Sequence, residues 1–278
     1  MKYITYDVAS AVAYVALNRP EASNAQNAEL LKELDETFER AVADDAVRVI
    51  VLRANGKHFS AGHDIGPDAI NHEPWASMFN DVSQTGLMRM YDWENKYFFG
   101  YSRRWRDIPK PTIAAVQGAC VAAGLMLAWP MDLIVASDDA RFSDPVGLMG
   151  IGGVEYHAHT WEFGPRKAKE LLFTAGWVSA EEAKGLGMVN RVVPRADLEA
   201  ETTALAERIA TMPPHGMRMA KRAVNGALDA MGQHVALNYA FETHSLGHAN
   251  AWVSHGTPTL AGLAEMTAAN KKSNPPAS

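Results

Sequence analysis

Cysteine is nearly absent: among 278 residues only Cys120 is one, so no internal disulfide can form and no cysteine-rich zinc site can be built. A basic excess is missing as well. Lys and Arg number 26 against 32 Asp and Glu, giving a formal charge of −6 and a pI near 5.9. A protein that tracks nucleic-acid phosphates would normally show a basic stripe. The first twenty residues hold a single lysine and no continuous apolar stretch ending in a small-residue cleavage site, so no signal peptide and a cytoplasmic setting are expected. A long membrane-type run is approached only between Ile113 and Met131, where Gln117 alone is strongly polar. Gly118, Gly124 and Pro130 interrupt that run and Asp132 ends it, without flanking positive charge, so it reads as buried core. What the chain does have is 47% hydrophobic residues, enough for a sizeable core.

Short apolar runs alternate with helical patterns through the first two thirds. Ala11–Leu17, Val47–Leu52, Thr112–Val116, Leu133–Ala136 and Val189–Val193 read as strands. Ala28–Ala43 places Leu30, Leu31, Leu34, Phe38 and Val42 at helical spacing, and Arg166–Thr174 and Ala180–Leu186 also read as helices. Strands separated by helices imply βα units with mostly parallel pairing. After Pro194 the composition becomes helical over Leu198–Met212, Met217–Met231 and Val235–Ser254, punctuated by Pro213-Pro214. The expected division is therefore an α/β core over 1–195 and a helical region over 196–278.

Two glycine-containing turns each follow an expected strand: Lys57–Ile65 (KHFSAGHDI) and Gln117–Leu127 (QGACVAAGLML). A small-residue turn lets a ligand approach the backbone, and a helix starting there aims free N–H groups at it. Two such turns brought together would supply the paired donors that a thioester oxyanion needs. The segment Gly150–His159 (GIGGVEYHAH) adds Glu155 and His157 as candidate acid–base groups. Glu155 could equally be a carboxylate favoured by a helix N-terminus. Asp144 suits a turn or capping role better than a place in a pocket. Asp92 and Glu94 are expected to be solvated, with one of them in possible reach of a site. Tyr91, Trp93, Tyr97, Phe98, Phe99, Tyr101 and Trp105 form an aromatic run that could wall a pocket or fill a core.

The motifs Leu17-Asn18-Arg19-Pro20, Ser23-Asn24-Ala25, Phe59–Ile65, Lys110-Pro111, Ile113–Gly118, Ala122-Ala123-Gly124 and Ser179–Ala183 with Gly185-Leu186 resemble the crotonase (enoyl-CoA hydratase/isomerase) superfamily over roughly residues 1–195. The resemblance implies an α/β spiral of ββα units with a C-terminal helical region used to build trimers or hexamers. It implies an acyl-CoA thioester ligand, coenzyme A being part of the substrate and no other cofactor being required. It assigns the oxyanion hole to the backbone N–H groups of His63 and Ala123, leaving the His63 imidazole incidental. Ala61, Gly62, Asp64, Ile65, Gly124, Met126 and Val146 become candidate substrate contacts, with the 61–65 turn beside the CoA adenine.

Where family hydratases carry two catalytic glutamates, this chain has Met126 and Val146. Neither can hold a proton, and general acid–base help is worth roughly 10²–10⁴-fold. Glu155, with His157 as partner, is the candidate replacement. The label that follows is an enoyl-CoA hydratase-like lyase whose reaction could instead be isomerisation, thioester hydrolysis or C–C cleavage, against a non-catalytic acyl-CoA-binding or assembly protein. No metal is expected. His157-x-His159 with Glu162 lacks a further spaced ligand, and His72-Glu73-Pro74 is a turn rather than a helical HExxH.

Overall fold

A computed structural model of the chain describes residues 1–66 and 86–262, together with 264, 266 and 268. The strands are β1 (Ile4–Ala9), β2 (Val12–Leu17), β3 (Val49–Ala54), β4 (Thr112–Val116), β5 (Ala119–Val121), β6 (Leu133–Ser137), β7 (Arg141–Ser143), β8 (Val178–Ser179) and β9 (Arg191–Val193). The helices are α1 (Ala28–Ala43), α2 (Met88–Glu94), α3 (Gly100–Arg106), α4 (Leu125–Ala128), α5 (His159–Thr174), α6 (Ala180–Leu186), α7 (Leu198–Ala210), α8 (Pro214–Ala230) and α9 (Gln233–His255). A π-helical turn, Asn95–Phe99, joins α2 to α3.

Six strands form one sheet in the order β1-β2-β3-β4-β6-β9, parallel throughout except for the β1–β2 hairpin. A second sheet of three short strands runs β5-β7-β8, with β5 and β7 parallel. The repeat is visible here. β4 enters the large sheet and β5 the small one; β6 and β7 then do the same one position further along. Ser60, bridged to Cys120, extends the small sheet toward the segment that follows β3. Each passage from large to small sheet ends in a turn, and the two glycine turns of the sequence are consecutive passages of this kind.

Both faces of the large sheet are covered, which is why its strands read as continuous apolar runs. Alternate residues part to the two sides. Ile50, Leu52, Ala114 and Val116 join the main core with α1, whereas Val49, Val51, Ile113 and Ala115 pack with Leu198, Ala206 and Ala210 of α7. The expected boundary at 195 thus marks a change of composition, yet α7 lies on the sheet and Leu237 and Phe241 of α9 belong to the main core. The apolar run Ile113–Met131 is β4, β5 and α4, and no helix among the described residues is long and apolar enough to cross a membrane.

Candidate active site

The two glycine turns meet. Val121 N–H donates to the Ser60 carbonyl at 3.0 Å, and Gln26 N–H donates to the Gly62 carbonyl at 2.8 Å while Asp64 N–H returns a bond to Gln26. Gly62 sits at φ +93°, where a Cβ would come within 2.9 Å of the Val121 carbonyl oxygen and 3.2 Å of the Ala123 nitrogen. A Cβ on Gly124 would approach the Ser60 carbonyl oxygen to 2.7 Å. Glycine is therefore demanded at both positions by backbone contact rather than by any ligand.

Beside this junction lies a cavity of about 310 Å³, lined in part by Ala61, His63, Ile65, Ala123, Val146 and Glu155. Six of the sequence candidates are thus brought to one wall. Gly62, Asp64, Gly124 and Met126 lie outside the lining. The Asp64 carboxylate is held by the Arg19 guanidinium at 2.5 Å, and Met126 is buried within α4, in the main core. His157 is also outside the lining. Gly153, with φ +139° and no side chain, lets the His157 ring fold back over it, where it packs 4.2 Å from His159. Burial, with the neighbouring His159, pushes its pKa down to about 4.

Glu155 stands in the segment before α5 rather than on its first turn. Its Oε1 is 3.2 Å from His63 Nε2 and 3.8 Å from Nε2 of His244. The His63 imidazole, stacked on Phe98 with ring centres 3.9 Å apart, is therefore a partner of the carboxylate and not incidental. Burial alone would raise the Glu155 pKa; the His63 and His244 imidazoles outweigh it and bring the group down to about 2, leaving it ionised.

Two further wall residues, His244 and His248, escape the sequence reading, and a third, Glu94, has from the sequence only a possible reach to a site. Glu94, expected to be solvated, is only 3% exposed, and with Phe98 it faces the cavity across the start of the π turn. Burial first, and then the Glu155 charge, raise its pKa well above the carboxylate range. His244 and His248 come from α9, four residues apart on its buried face. The signal was present: two histidines at i and i+4 inside an otherwise apolar helical stripe. Asp144 takes the capping role, accepting from Val146 N–H at 3.3 Å and Val154 N–H at 2.9 Å and pairing with His159 Nε2 at 2.9 Å. The His72-Glu73-Pro74 turn lies outside the described residues.

Comparison with known proteins names the class to which this two-sheet α/β fold with an apolar cavity at converging turns belongs. The family model described as enoyl-CoA hydratase/isomerase matches residues 7–249, and the chain belongs to that family. A solved structure of a probable enoyl-CoA hydratase from Mycobacterium smegmatis is 56% identical, with a TM-score of 0.87 over 94% of this chain and 100% of that one. One from Mycobacterium thermoresistibile is also 56% identical, with a TM-score of 0.86 and the same coverage. EchA13 of Mycobacterium tuberculosis, an enoyl-CoA hydratase by designation, is 44% identical over 261 residues, 90% of this chain and 81% of that protein.

Proposed function

We propose that this chain is an acyl-CoA-processing enzyme that moves a proton at the carbon beside a thioester carbonyl, with Glu155 as the proton carrier. Backbone N–H groups of His63 and Ala123 receive the thioester oxygen as the enolate forms; a donor of this kind is worth about 2.7–4 kcal/mol in a water-poor site. The observation that carries the reading is the Glu155 carboxylate, 3% exposed, on the same cavity wall as His63 and Ala123. Val146 on that wall is apolar, and Met126 is buried away from it. The positions that hold two glutamates in hydratases of the resembled family thus offer no proton here.

One carboxylate can take a proton from one carbon and return it to another, which is double-bond isomerisation of an enoyl-CoA. Hydration needs a second group to activate water. The reading therefore favours isomerase over hydratase chemistry on the shared enolate scaffold, with coenzyme A entering as part of the substrate. Assembly as a homotrimer, or a pair of trimers, accompanies the reading. It is supported by the apolar residues that α9 leaves on its outer face: Val235, Tyr239, Leu246 and Val253.

A panel of enoyl-, dienoyl- and hydroxyacyl-CoAs followed by mass spectrometry and chromatography tests this. The expected product has unchanged mass and a shifted double bond, and crotonyl-CoA hydration runs roughly 10²–10⁴-fold below that of a two-glutamate enzyme. Hydration within about tenfold of such an enzyme would sink the reading. Binding of every thioester without turnover would instead favour an acyl-CoA-binding protein.

A further inference from the structure

The two wall histidines of α9 present their lone pairs to one another. His244 Nδ1 lies 2.8 Å from the Gly153 carbonyl oxygen, and His248 Nδ1 lies 2.6 Å from that of Pro258. A carbonyl oxygen can only accept, so each Nδ1 carries its hydrogen and each Nε2 of a neutral ring is left bare. Yet the two Nε2 atoms are 3.2 Å apart. Glu94 reaches the same point, with Oε1 3.6 Å from His248 Nε2 and Oε2 3.7 Å from His244 Nε2. Among the described residues that buried Oε2 has no hydrogen-bond partner. Two lone pairs and the Glu94 carboxyl group thus converge, their ligand atoms within 4.8 Å of one another, inside a largely apolar cavity. A metal ion, or a proton held among these groups, makes such a meeting favourable.

The spacing says which kind. Zinc–nitrogen bonds of about 2.0–2.1 Å in tetrahedral geometry set neighbouring ligand nitrogens about 3.3 Å apart, close to the separation found here. Ligating histidines also donate their other ring N–H to a carbonyl or carboxylate, which fixes the tautomer; both histidines already do so. We propose that Glu94, His244 and His248 form a binding site for one divalent transition-metal ion of the zinc or cobalt type, with its fourth position open to the acyl cavity. Two imidazoles and one carboxylate suit such ions better than magnesium or calcium, which prefer all-oxygen shells. Glu155, engaged with His63, stands at the edge of the site and leaves the fourth position to water or to an oxygen of a bound acyl group. This departs from the expectation drawn from the sequence, where the pair His157 and His159 was considered and no metal expected. The rival occupant is a proton shared between the two Nε2 atoms.

The chain, stripped with a chelator, is titrated with Co²⁺ and with Zn²⁺ at neutral pH. The proposal expects saturation near one equivalent, visible absorption of tetrahedral rather than aqueous Co²⁺, and a rise in melting temperature with Zn²⁺. His248→Ala and Glu94→Gln should each weaken Co²⁺ binding by more than the roughly 10–100-fold that losing an outer-shell partner costs. Circular dichroism of the metal-free variants separates lost ligation from lost folding; should both variants misfold, the wild-type Co²⁺ spectrum carries the test alone. A wild-type protein that leaves Co²⁺ with its aqueous spectrum and shows no Zn²⁺-dependent melting shift overturns the proposal and assigns the gap to a shared proton. None of these readouts is turnover, so failure here and failure of the isomerase reading are told apart.

Discussion

At the scale of single residues, the buried Asp144–His159 pair fixes the segment that leads to Glu155. Both side chains are fully buried, and Asp144 holds the segment after β7 against Val154, one residue before Glu155. Burial would raise the Asp144 pKa, but the His159 hydrogen bond and charge and the two backbone N–H groups together hold it below the ordinary range. A carboxyl whose folded pKa lies under its unfolded value of about 3.9 stabilises the fold above that value, and the contribution is lost as pH falls through the folded pKa. Asp144→Asn should therefore cost about 3–5 kcal/mol at neutral pH. Its deficit relative to wild type should start to shrink below about pH 4 and should vanish only as pH falls through the lowered folded pKa, where the native carboxyl is also protonated. Urea denaturation of both proteins at neutral and at acid pH measures the difference; an equal deficit at both would contradict the assignment.

At the scale of elements, the turns are the sensitive parts. Gly62→Ala puts a Cβ against the Val121 carbonyl oxygen at positive φ, a conformation costing about 1–2 kcal/mol before the clash is counted. The variant should melt lower and lose most turnover, because the same shift moves His63 relative to Ala123. A variant with wild-type melting and rate would mean the two turns are less tightly fitted than their contacts indicate. How much was legible in the sequence also divides by element. Helices α1 and α6 fall on the expected residues, since each has a capping side chain, Asn27 and Ser179, and α1 a strong apolar stripe. Strands β5, β7 and β8 have three, three and two residues, too short for any period to register. The first turns of α5 were hidden by Gly164-Pro165, whose kink at φ +72° reads as a break. Charge in an aromatic run reads as solvated face, so the sequence leaves Glu94 only a possible reach to a site, whereas the contacts of Tyr91 with Phe241 and of Glu94 with His244 bury it. The histidines of α9 were inside a correctly read helix, but periodicity weighs apolar residues and passes over two imidazoles in the same stripe.

For the whole molecule, the helical region after 195 packs on the core through α7 and α9. Removing α7 would uncover Val12, Val49, Val51, Ile113, Ala115 and Val135 on one sheet face. A chain ending at 195 should therefore be insoluble or lack a cooperative melt, as expression and calorimetry would register. The outer face of α9, together with α8, which buries none of its own residues, is expected to be covered in a trimer. Light scattering at micromolar concentration should give three chains or six, and a monomer would contradict that expectation.

The central claim rests on one carboxylate, and Glu155→Gln tests it most directly. The substitution keeps the shape of the group on the cavity wall and removes its capacity to take a proton. Acyl-CoA affinity and kcat should be measured together on the substrate that the thioester panel identifies. Affinity should stay close to wild type while kcat falls by roughly a hundredfold or more. Full turnover in the Gln variant would remove Glu155 from the mechanism.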